Sequence, residues 1–321
     1  MQQVTLNVAA AVGLISRHNI SDANGRKIIA KGRVLTPADI ALLVQNDIHH
    51  ITVVRLAPDD IDEHTAASLV AQRCVGIHTS AKPPHHGRAD IVATIDGIVI
   101  VDVDALMRWH QIDGVTIATR RTYDVVHPSQ RIATIKILPF AVPASQLAIV
   151  SIPPVLSVRP FVRTRIGVVL IGAPATYERL MRSHVASLEA RLAIVHAQVV
   201  AIQRVVAEID SVRHAFAELL PLVDMIITLG ETSIMDRDDV MPQALLAAGG
   251  QITCYGAPVE PGNLLLLGMI DTLPVMGAPG CIRGSAMNVV DLVLPRLVSG
   301  IDVNAHDVYV LAHGGLLEED I

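Results

Sequence analysis

Residues 230–242, GETSIMDRDDVMP, carry a cluster of charged side chains directly after a short apolar run. Five of them lie within nine positions, although only 17% of the chain is charged: Glu231, Asp236, Arg237, Asp238 and Asp239. Carboxylates so close together can bind a divalent cation, alone or with a phosphorylated ligand. A solvated loop, or a helix cap at Asp238 or Asp239, explains the same spacing. The cluster alone leaves these alternatives open.

Two further loops carry glycine and small polar residues that suit close contact with a ligand. They are residues 172–176, GAPAT, and residues 277–285, GAPGCIRGS. Glycine lets a ligand approach the backbone, and a helix N-terminus presents free N–H groups to a phosphate. Arg283 would add a charge-assisted contact. The three loops together predict a ligand site at Gly172, Gly230, Thr232, Ser233, Gly280, Arg283 and Ser285.

The elements that must position these loops alternate between strands and helices from about residue 163 onward. Apolar runs predict strands over residues 165–174, 197–206, 223–230 and 274–280. Apolar spacing and capping residues predict helices over residues 176–192, 210–220, about 240–250 and 285–298. Such alternation implies right-handed crossovers and a doubly wound, mostly parallel sheet. Ligands of these sheets lie beyond the carboxyl ends of the strands, where the three loops fall.

The first half of the chain has a different organisation, with mixed strands and helices. We predict an N-terminal α+β domain over residues 1–157 and an α/β domain over residues 158–321. Thr36 and Pro37 predict the start of a helix, as N-cap and first helical residue. The Asp96-Gly97 pair predicts a hairpin turn.

Length and composition restrict the class of protein. A chain of 321 residues with 51% hydrophobic and 2% aromatic residues fits two domains with aliphatic cores. Its net charge of −6 argues against a general nucleic-acid binder. The longest uncharged run contains four prolines, which argues against a membrane span.

Cysteine and histidine add no metal or disulfide pattern. Cys74, Cys254 and Cys281 are odd in number and far apart, which fits a reducing cytoplasm. Cys281 is interpreted as a small buried hydrophobe rather than a nucleophile. The fourteen histidines are interpreted as surface or structural residues. Residues 318–320 are interpreted as a solvated acidic tail.

Residues from about 163 to 300 resemble the molybdopterin-binding domain shared by the molybdenum insertases and the molybdopterin adenylyltransferases. In that family a strand ends in Thr-Gly-Gly, followed by a small residue and an Asp that opens the next helix. The matching positions here are Asp224, Gly230, Thr232, Ser233 and Asp238 or Asp239. The family's Pro-Gly-Asn and Leu-Pro-Gly segments correspond to Pro261-Gly262-Asn263 and Ala278-Pro279-Gly280.

This resemblance extends the predicted site. It implies that Asn263 and Pro279 contact the ligand, and that Asp238 or Asp239 holds a divalent cation such as Mg²⁺ or orients molybdate. Residues 30–56 are similar to an insertase segment in which a helix begins after Leu-Thr-Pro. The complete chain most resembles stand-alone molybdopterin-binding proteins.

The chain departs from the family at three positions. Glu231 replaces the second Gly of the Gly-Gly pair, and Glu260 stands where the catalytic relatives carry Lys. Ala173 follows Gly172 where the insertases have an acidic residue. Two extra carboxylates would repel an anionic ligand. The resemblance therefore supports binding better than catalysis, and it assigns no catalytic residue.

The function implied by the resemblance is binding of molybdopterin or molybdenum cofactor, in its biosynthesis, maturation or delivery to a molybdoenzyme. Two alternatives stay open: an active molybdopterin molybdenumtransferase or adenylyltransferase, and a scaffold or sensor without a cofactor. The expected partners are a small-molecule pterin and, for delivery, a recipient molybdoenzyme, with no nucleic acid and no membrane. The family often dimerises, and the apolar composition is compatible with a homo-oligomer.

Overall fold

The structure is a computed structural model that describes residues 1–148 and 152–317, so the predicted tail over residues 318–320 lies outside it. The chain divides into two units. The first comprises Met1–Thr94, Ile100–Arg121 and Pro128–Val158, and the second comprises Ile95–Val99, Thr122–His127 and Arg159–Ile321. The domain boundary after residue 157 stays a prediction. Residues 95–99 and 122–127 group with the second unit, although they precede that boundary.

The elements up to residue 159 are mostly short strands. The strands are β1 (Gln2–Asn7), β2 (Ile15–Ser16), β3 (Ile20–Ser21), β4 (Lys27–Ile29), β5 (His50–Arg55), β6 (Asp60–Asp62) and β7 (Thr79–Ala81). They continue with β8 (Arg88–Ala93), β9 (Gly97–Val101), β10 (Val115–Thr119), β11 (Val125–Val126), β12 (Arg131–Ile137), β13 (Ala141–Pro143) and β14 (Leu156–Arg159). The helices are α1 (Pro37–Gln45), α2 (Glu63–Cys74), α3 (Val103–Trp109) and α4 (Ala144–Ala148).

Helix α1 begins where the sequence predicts it. The Thr36 hydroxyl accepts the backbone N–H of Asp39, and the Asp39 carboxylate accepts the backbone N–H of Thr36. This reciprocal capping box satisfies two donors that the first helical turn cannot bond internally. Pro37 occupies the first helical position, where no N–H is needed. Local sequence therefore fixes the start of this helix.

The prediction of a hairpin at Asp96-Gly97 is wrong. Strand β8 belongs to an antiparallel sheet of order β10-β12-β8-β7 in the first unit, whereas β9 pairs with β11 through Gly97 and Ile98 in the second unit. The chain therefore leaves one sheet before residue 95 and enters another, instead of folding back on itself. The carboxylate of Asp96 lies against His127 rather than supporting a turn between β8 and β9.

The second unit is built on a six-stranded sheet. Its strands are β15 (Arg165–Ile171), β16 (Gln198–Val205), β17 (Met225–Gly230), β18 (Gln251–Tyr255), β19 (Leu266–Ile270) and β20 (Leu273–Gly277). Its α-helices are α5 (Tyr177–Leu180), α6 (Ala186–Ile194), α7 (Ile209–Leu219), α8 (Val240–Ala247), α9 (Val289–Val298) and α10 (Ala305–Tyr309). A π-helical turn, Met181–Val185, joins α5 to α6, so the predicted helix over residues 176–192 is interrupted rather than uniform.

The sheet of the second unit has the order β16-β15-β17-β20-β19-β18. Strands β16, β15, β17 and β20 are parallel to their neighbours within that set, and β19 runs antiparallel to both β20 and β18. Strands β18 and β19 are not among the strands predicted from the sequence. The predicted mixed α/β class is confirmed, whereas the doubly wound description stays a prediction.

Both faces of this sheet are covered by helices. On β15, Val168 and Leu170 pack in one core with α6 and α9, and Val169 and Ile171 pack in the other with α7 and α8. Successive strand residues point to opposite faces, so an uninterrupted apolar strand is the pattern of a sheet buried on both sides. Among the residues described, none of the helices is both long and apolar enough to cross a membrane.

Candidate functional site

Three parallel strands end side by side and place their following loops together. The register pairs Ile171 of β15 with Gly230 of β17, and Thr228 of β17 with Gly277 of β20. Two adjoining cavities of about 500 and 520 Å³ open at these strand ends. They share Gly230, Glu231 and Ser233. The carboxyl ends of the strands therefore form the candidate site, at the edge where such sheets bind ligands.

The first of these, the apolar cavity, lies between the loops that follow β15 and β17. Aliphatic side chains make most of its wall, including Ile171, Val206, Ile234, Val240 and Met241. The predicted ligand residues that line it are Gly172, Gly230, Thr232 and Ser233, and Asp239 lies at its wall as well. Few polar groups in a largely apolar cleft are typical of a small-molecule pocket.

The second, the charged cavity, lies between the loops that follow β17 and β20. Its charged residues are Arg179, Arg283, Glu231 and Glu260, and His184 also lines it. Six predicted ligand residues meet here: Gly230, Ser233, Asn263, Pro279, Gly280 and Arg283. The 3₁₀ helix Gly280–Arg283 begins at its wall. Arg283 gives this cavity a cation that can bind an anion. Arg179 is shared with Glu231, and the Glu231 and Glu260 carboxylates oppose an anionic ligand.

Two predicted site residues, Ser285 and Asp238, and Asp224 of the resemblance lie outside these cavities. Ser285 and Asp238 are exposed and line neither of them. Asp224 precedes β17, whereas the cavities follow it, and its carboxylate accepts the backbone N–H groups of Thr164 and Arg165 at 3.0 and 2.9 Å. Asp224 therefore stabilises the start of β15 and does not contact the candidate site.

Glu231 is hydrogen-bonded to the loop after β15. Its carboxylate accepts the Ala173 N–H at 3.2 Å and lies 3.3 Å from a guanidinium nitrogen of Arg179. A Cβ on Gly172 would lie 3.1 Å from the Cβ of Glu231. Glycine at position 172 thus leaves room for the Glu231 side chain, and Arg179 offsets part of its negative charge.

Gly230 is required by the turn itself. A Cβ at this position would lie 2.5 Å from the carbonyl oxygen of Thr232. That separation is far shorter than any van der Waals contact, so a larger residue would displace the loop. The glycine predicted to contact ligand therefore also shapes the wall shared by both cavities.

Arg191 holds the loop after β20 in place, and the sequence analysis did not identify it. Its side chain is 8% exposed. Its guanidinium donates to the carbonyl oxygens of Ile282, Gly284 and Ala286 at 3.2, 2.9 and 3.0 Å, and to Asp291 at 3.0 Å. One indication of this role is present in the sequence, because Arg191 lies between apolar residues in a predicted helix.

His184 and Cys281 line the charged cavity with neutral side chains. Burial, followed by the positive charges of Arg283 and Arg179, lowers the pKa of His184. Its Nδ1 lies 2.8 Å from the Ser183 hydroxyl. Burial raises the pKa of Cys281, which keeps it a thiol. Cys281 is therefore uncharged, but it is only partly buried and lines the cavity, so the prediction of a buried residue is wrong. His184 lines the same cavity.

The lowered pKa of His184 predicts a pH effect on stability. The folded state binds a proton on this residue less readily than the unfolded state, whose pKa lies near 6.5. Its stabilising contribution is therefore present above that pH and is lost as the pH falls through the folded-state pKa. Chemical denaturation at pH 7 and pH 5 should show a smaller loss of unfolding free energy in His184→Gln than in the natural protein. An equal loss in both proteins would contradict the shift.

The two predicted cation ligands have different surroundings. Asp239 precedes α8, and its carboxylate accepts the backbone N–H groups of Met235 and Asp236 at 2.6 and 3.0 Å. The Asp238 carboxylate accepts only a 3.5 Å contact from Gln243 among the hydrogen bonds within the described residues. Asp239 therefore stabilises the conformation of the loop. The carboxylate oxygens of Asp238 stay accessible to a ligand.

The cation role of these residues stays a prediction with a direct test. Asp238→Asn combined with Asp239→Asn should weaken binding of a phosphorylated pterin about tenfold in the presence of Mg²⁺. Binding without Mg²⁺ should change much less. Equal affinities of the double variant and the natural protein in Mg²⁺ would remove the cation role. Asp238→Asn alone keeps the loop hydrogen bonds of Asp239, so it separates loss of a ligand from a change in loop shape.

Comparison with known proteins gives similarities in structure only. No protein-family model and no curated protein matches the sequence. A molybdenum cofactor biosynthesis protein from Pyrococcus furiosus is 11% identical, with a TM-score of 0.28; the alignment covers 94% of this chain and 66% of that protein. This chain thus spans just under two thirds of that protein's length.

Two further solved structures are similar at the same level. The molybdopterin biosynthesis MoeA protein from Pyrococcus horikoshii is 13% identical, with a TM-score of 0.33, over 94% of this chain and 75% of that protein. The molybdopterin biosynthesis enzyme MoaB from Thermus thermophilus is 16% identical, with a TM-score of 0.32, over 43% of this chain and 97% of that enzyme.

Proposed function

We propose that the second unit binds molybdopterin, or a molybdenum cofactor derived from it, in the two cavities beside Gly230–Ser233. The observation that carries the proposal is the meeting of four loops at one edge of the sheet. Three of these loops follow β15, β17 and β20, and the fourth joins β18 to β19 and carries Asn263. The loops after β17 and β20 and the Pro261-Gly262-Asn263 segment carry the resemblance to the molybdopterin-binding family, whereas the loop after β15 departs from it.

The two cavities suit the two chemical parts of such a ligand. The apolar cavity offers aliphatic walls for a flat heterocycle, with Thr232 and Ser233 as hydrogen-bonding groups. The charged cavity offers Arg179, Arg283 and the start of the 3₁₀ helix to a phosphate. Volumes near 500 Å³ fall within the range of small-molecule pockets, about 300–1,000 Å³. The cavities adjoin at Gly230, Glu231 and Ser233, and we propose that one ligand extends across both.

Binding without transfer is the activity that the charges support best. The Glu260 carboxylate lies at the charged cavity and accepts a hydrogen bond from Asn263 at 2.9 Å. The catalytic relatives that the sequence resembles have a cation at this position. A carboxylate beside the bound phosphate would oppose charge that develops during molybdate insertion or adenylylation. We therefore assign the protein to cofactor maturation or delivery, with a molybdoenzyme as the recipient.

Charge reversal at Glu260 tests how this residue shapes affinity. Glu260→Lys should tighten binding of a pyranopterin phosphate about tenfold, or about 1.4 kcal/mol, because a cation replaces a repulsive carboxylate. The gain should shrink as salt concentration rises. Glu218→Lys, on the exposed side of α7, makes the same charge change away from the cavities and should leave affinity unchanged. Weaker binding in Glu260→Lys would instead show that Glu260 accepts hydrogen bonds from the pterin.

The proposed function itself is tested by titration and turnover with the same purified protein. Molybdopterin fluorescence should show saturable binding with a Kd of about 1 µM or tighter. Incubation with adenylylated molybdopterin, Mg²⁺ and molybdate should give no product above background. Absence of saturable binding would overturn the proposal. Turnover by the natural protein would promote the transferase alternative.

A further inference from the structure

We propose that Asp96, His127 and His196 form a binding site for a divalent transition metal, with Zn²⁺ as the best-matched ion. The three residues belong to the second unit and line neither cavity of the candidate pterin site. One donor atom from each residue lies within 4.8 Å of the other two. The site is therefore independent of the proposed pterin function.

The fold brings Asp96 and His127 together by strand pairing. Strands β9 and β11 are antiparallel, with Val126 opposite Gly97 and Val125 opposite Ile98. Asp96 precedes the first pair and His127 follows it, so the two side chains occupy facing positions at the end of the ladder. His127 Nδ1 lies 2.7 Å from Asp96 Oδ1. The register of two strands thus fixes two of the three ligands.

His196 reaches the same carboxylate from the end of α6. Its Nε2 lies 3.5 Å from Asp96 Oδ1. Its backbone is left-handed, with a φ of 53°, a conformation that is uncommon for residues other than glycine. The flanking residues Val195 and Ala197 are buried, and the His196 ring stacks on Phe161 at a centroid distance of 6.0 Å. These contacts hold the imidazole toward Asp96 instead of leaving it mobile in solvent.

The segment that carries His127 is also anchored. The Tyr123 ring lies under the Arg296 guanidinium at 4.1 Å, and the Tyr123 N–H donates to the Val99 carbonyl at 2.7 Å. The site is accordingly built from three separate stretches of chain, each fixed by its own packing. Positions held in this way lose little conformational entropy when a metal binds.

The donor set selects the class of ion. Two imidazoles and one carboxylate are ligands of Zn²⁺ and related first-row metals, whereas Mg²⁺ and Ca²⁺ prefer oxygen ligands only. Donors of a tetrahedral Zn²⁺ site lie about 3.3 Å apart, as bonds of about 2.0–2.1 Å require. His127 Nδ1 lies 2.7 Å from Asp96 Oδ1, a hydrogen-bond distance, and His196 Nε2 lies 3.5 Å from the same oxygen. Metal binding would replace that hydrogen bond and move its two atoms about 0.6 Å apart. The side chains are half-buried to exposed, so water can complete the coordination.

The test is calorimetric titration of tag-free, chelator-treated full-length protein with Zn²⁺, supported by Co²⁺ absorption spectroscopy. The natural protein should bind one equivalent of Zn²⁺ in the micromolar range or tighter. It should give a Co²⁺ d–d spectrum that Zn²⁺ abolishes. His196→Ala and Asp96→Ala should each weaken this one-equivalent step at least tenfold, since each removes one of three ligands. His214→Ala, an exposed histidine on α7, is the matched control and should bind like the natural protein.

Two outcomes would overturn the site. One is the absence of a saturable one-equivalent step, and the other is an unchanged step in His196→Ala. Circular dichroism of each variant separates loss of ligand from loss of fold. Because molybdopterin plays no part in the titration, failure of this site would leave the pterin proposal intact, and the reverse also holds.

Discussion

Gly280→Val is expected to lower the affinity for a molybdopterin-class ligand at least 100-fold while leaving the fold intact. Gly280 begins the 3₁₀ helix at the wall of the charged cavity, and its φ lies outside the left-handed region. A Cβ built on it meets only the Ser233 hydroxyl, at 3.0 Å. The branched side chain of valine would therefore project into the space predicted for the ligand. Its effect on the unfolding free energy should stay within about 1 kcal/mol.

Gly284→Val is the matched control for this substitution. Gly284 follows in the same loop but lines neither cavity, and a Cβ there would find ordinary contact with the Cys281 carbonyl at 3.6 Å. Isothermal titration with the ligand should give the natural affinity for Gly284→Val. Natural affinity in Gly280→Val as well would show that the 277–285 loop only turns the chain.

Arg191→Met is expected to damage both stability and binding, for a different reason. The substitution keeps an unbranched, apolar stem but removes the guanidinium and its hydrogen bonds to the carbonyl groups of Ile282, Gly284 and Ala286. It also leaves the Asp291 carboxylate without its buried partner. Breaking one side of a buried ion pair costs about 3–5 kcal/mol. The loop that carries Gly280 and Arg283 would then lose its fixed shape, and affinity should fall at least tenfold.

Arg182→Met separates this effect from a general loss of positive charge. Arg182 is an exposed arginine in the π-helical turn before α6. Urea denaturation should give the same midpoint for Arg182→Met as for the natural protein, and a clearly lower one for Arg191→Met. If Arg191→Met kept both natural stability and natural affinity, Arg191 would not be what holds the loop.

The fold could be predicted where local sequence decides it. The apolar runs that form β15 and β17 are buried on both faces, so composition alone reveals them. The capping residues before α1 act within one turn of helix. By contrast, β18 and β19 pair antiparallel beyond the parallel strands, and strand direction depends on distant neighbours. The Asp96-Gly97 hairpin was wrong for the same reason, because its two strands join different sheets.

The candidate site also has residues that local sequence predicts and residues that it does not predict. Gly172, Gly230, Ser233 and Gly280 could be predicted because glycine and small residues at strand ends have local structural causes. Arg191 reaches the carbonyl of Ala286, a partner 95 positions away in sequence, and nothing near Arg191 indicates that partner. Contacts of this kind follow from how strands and helices pack. They require the tertiary structure.

The central claim is that the cavities beside Gly230–Ser233 hold a molybdopterin-class ligand. The most direct measurement is mass spectrometry of the small molecules released from the natural protein and from Gly280→Val. Both proteins should be purified side by side from a host that makes molybdenum cofactor. We predict a pyranopterin phosphate in the natural protein and its absence from the variant. A natural protein that releases no pterin, or two proteins that release equal amounts, would contradict the claim.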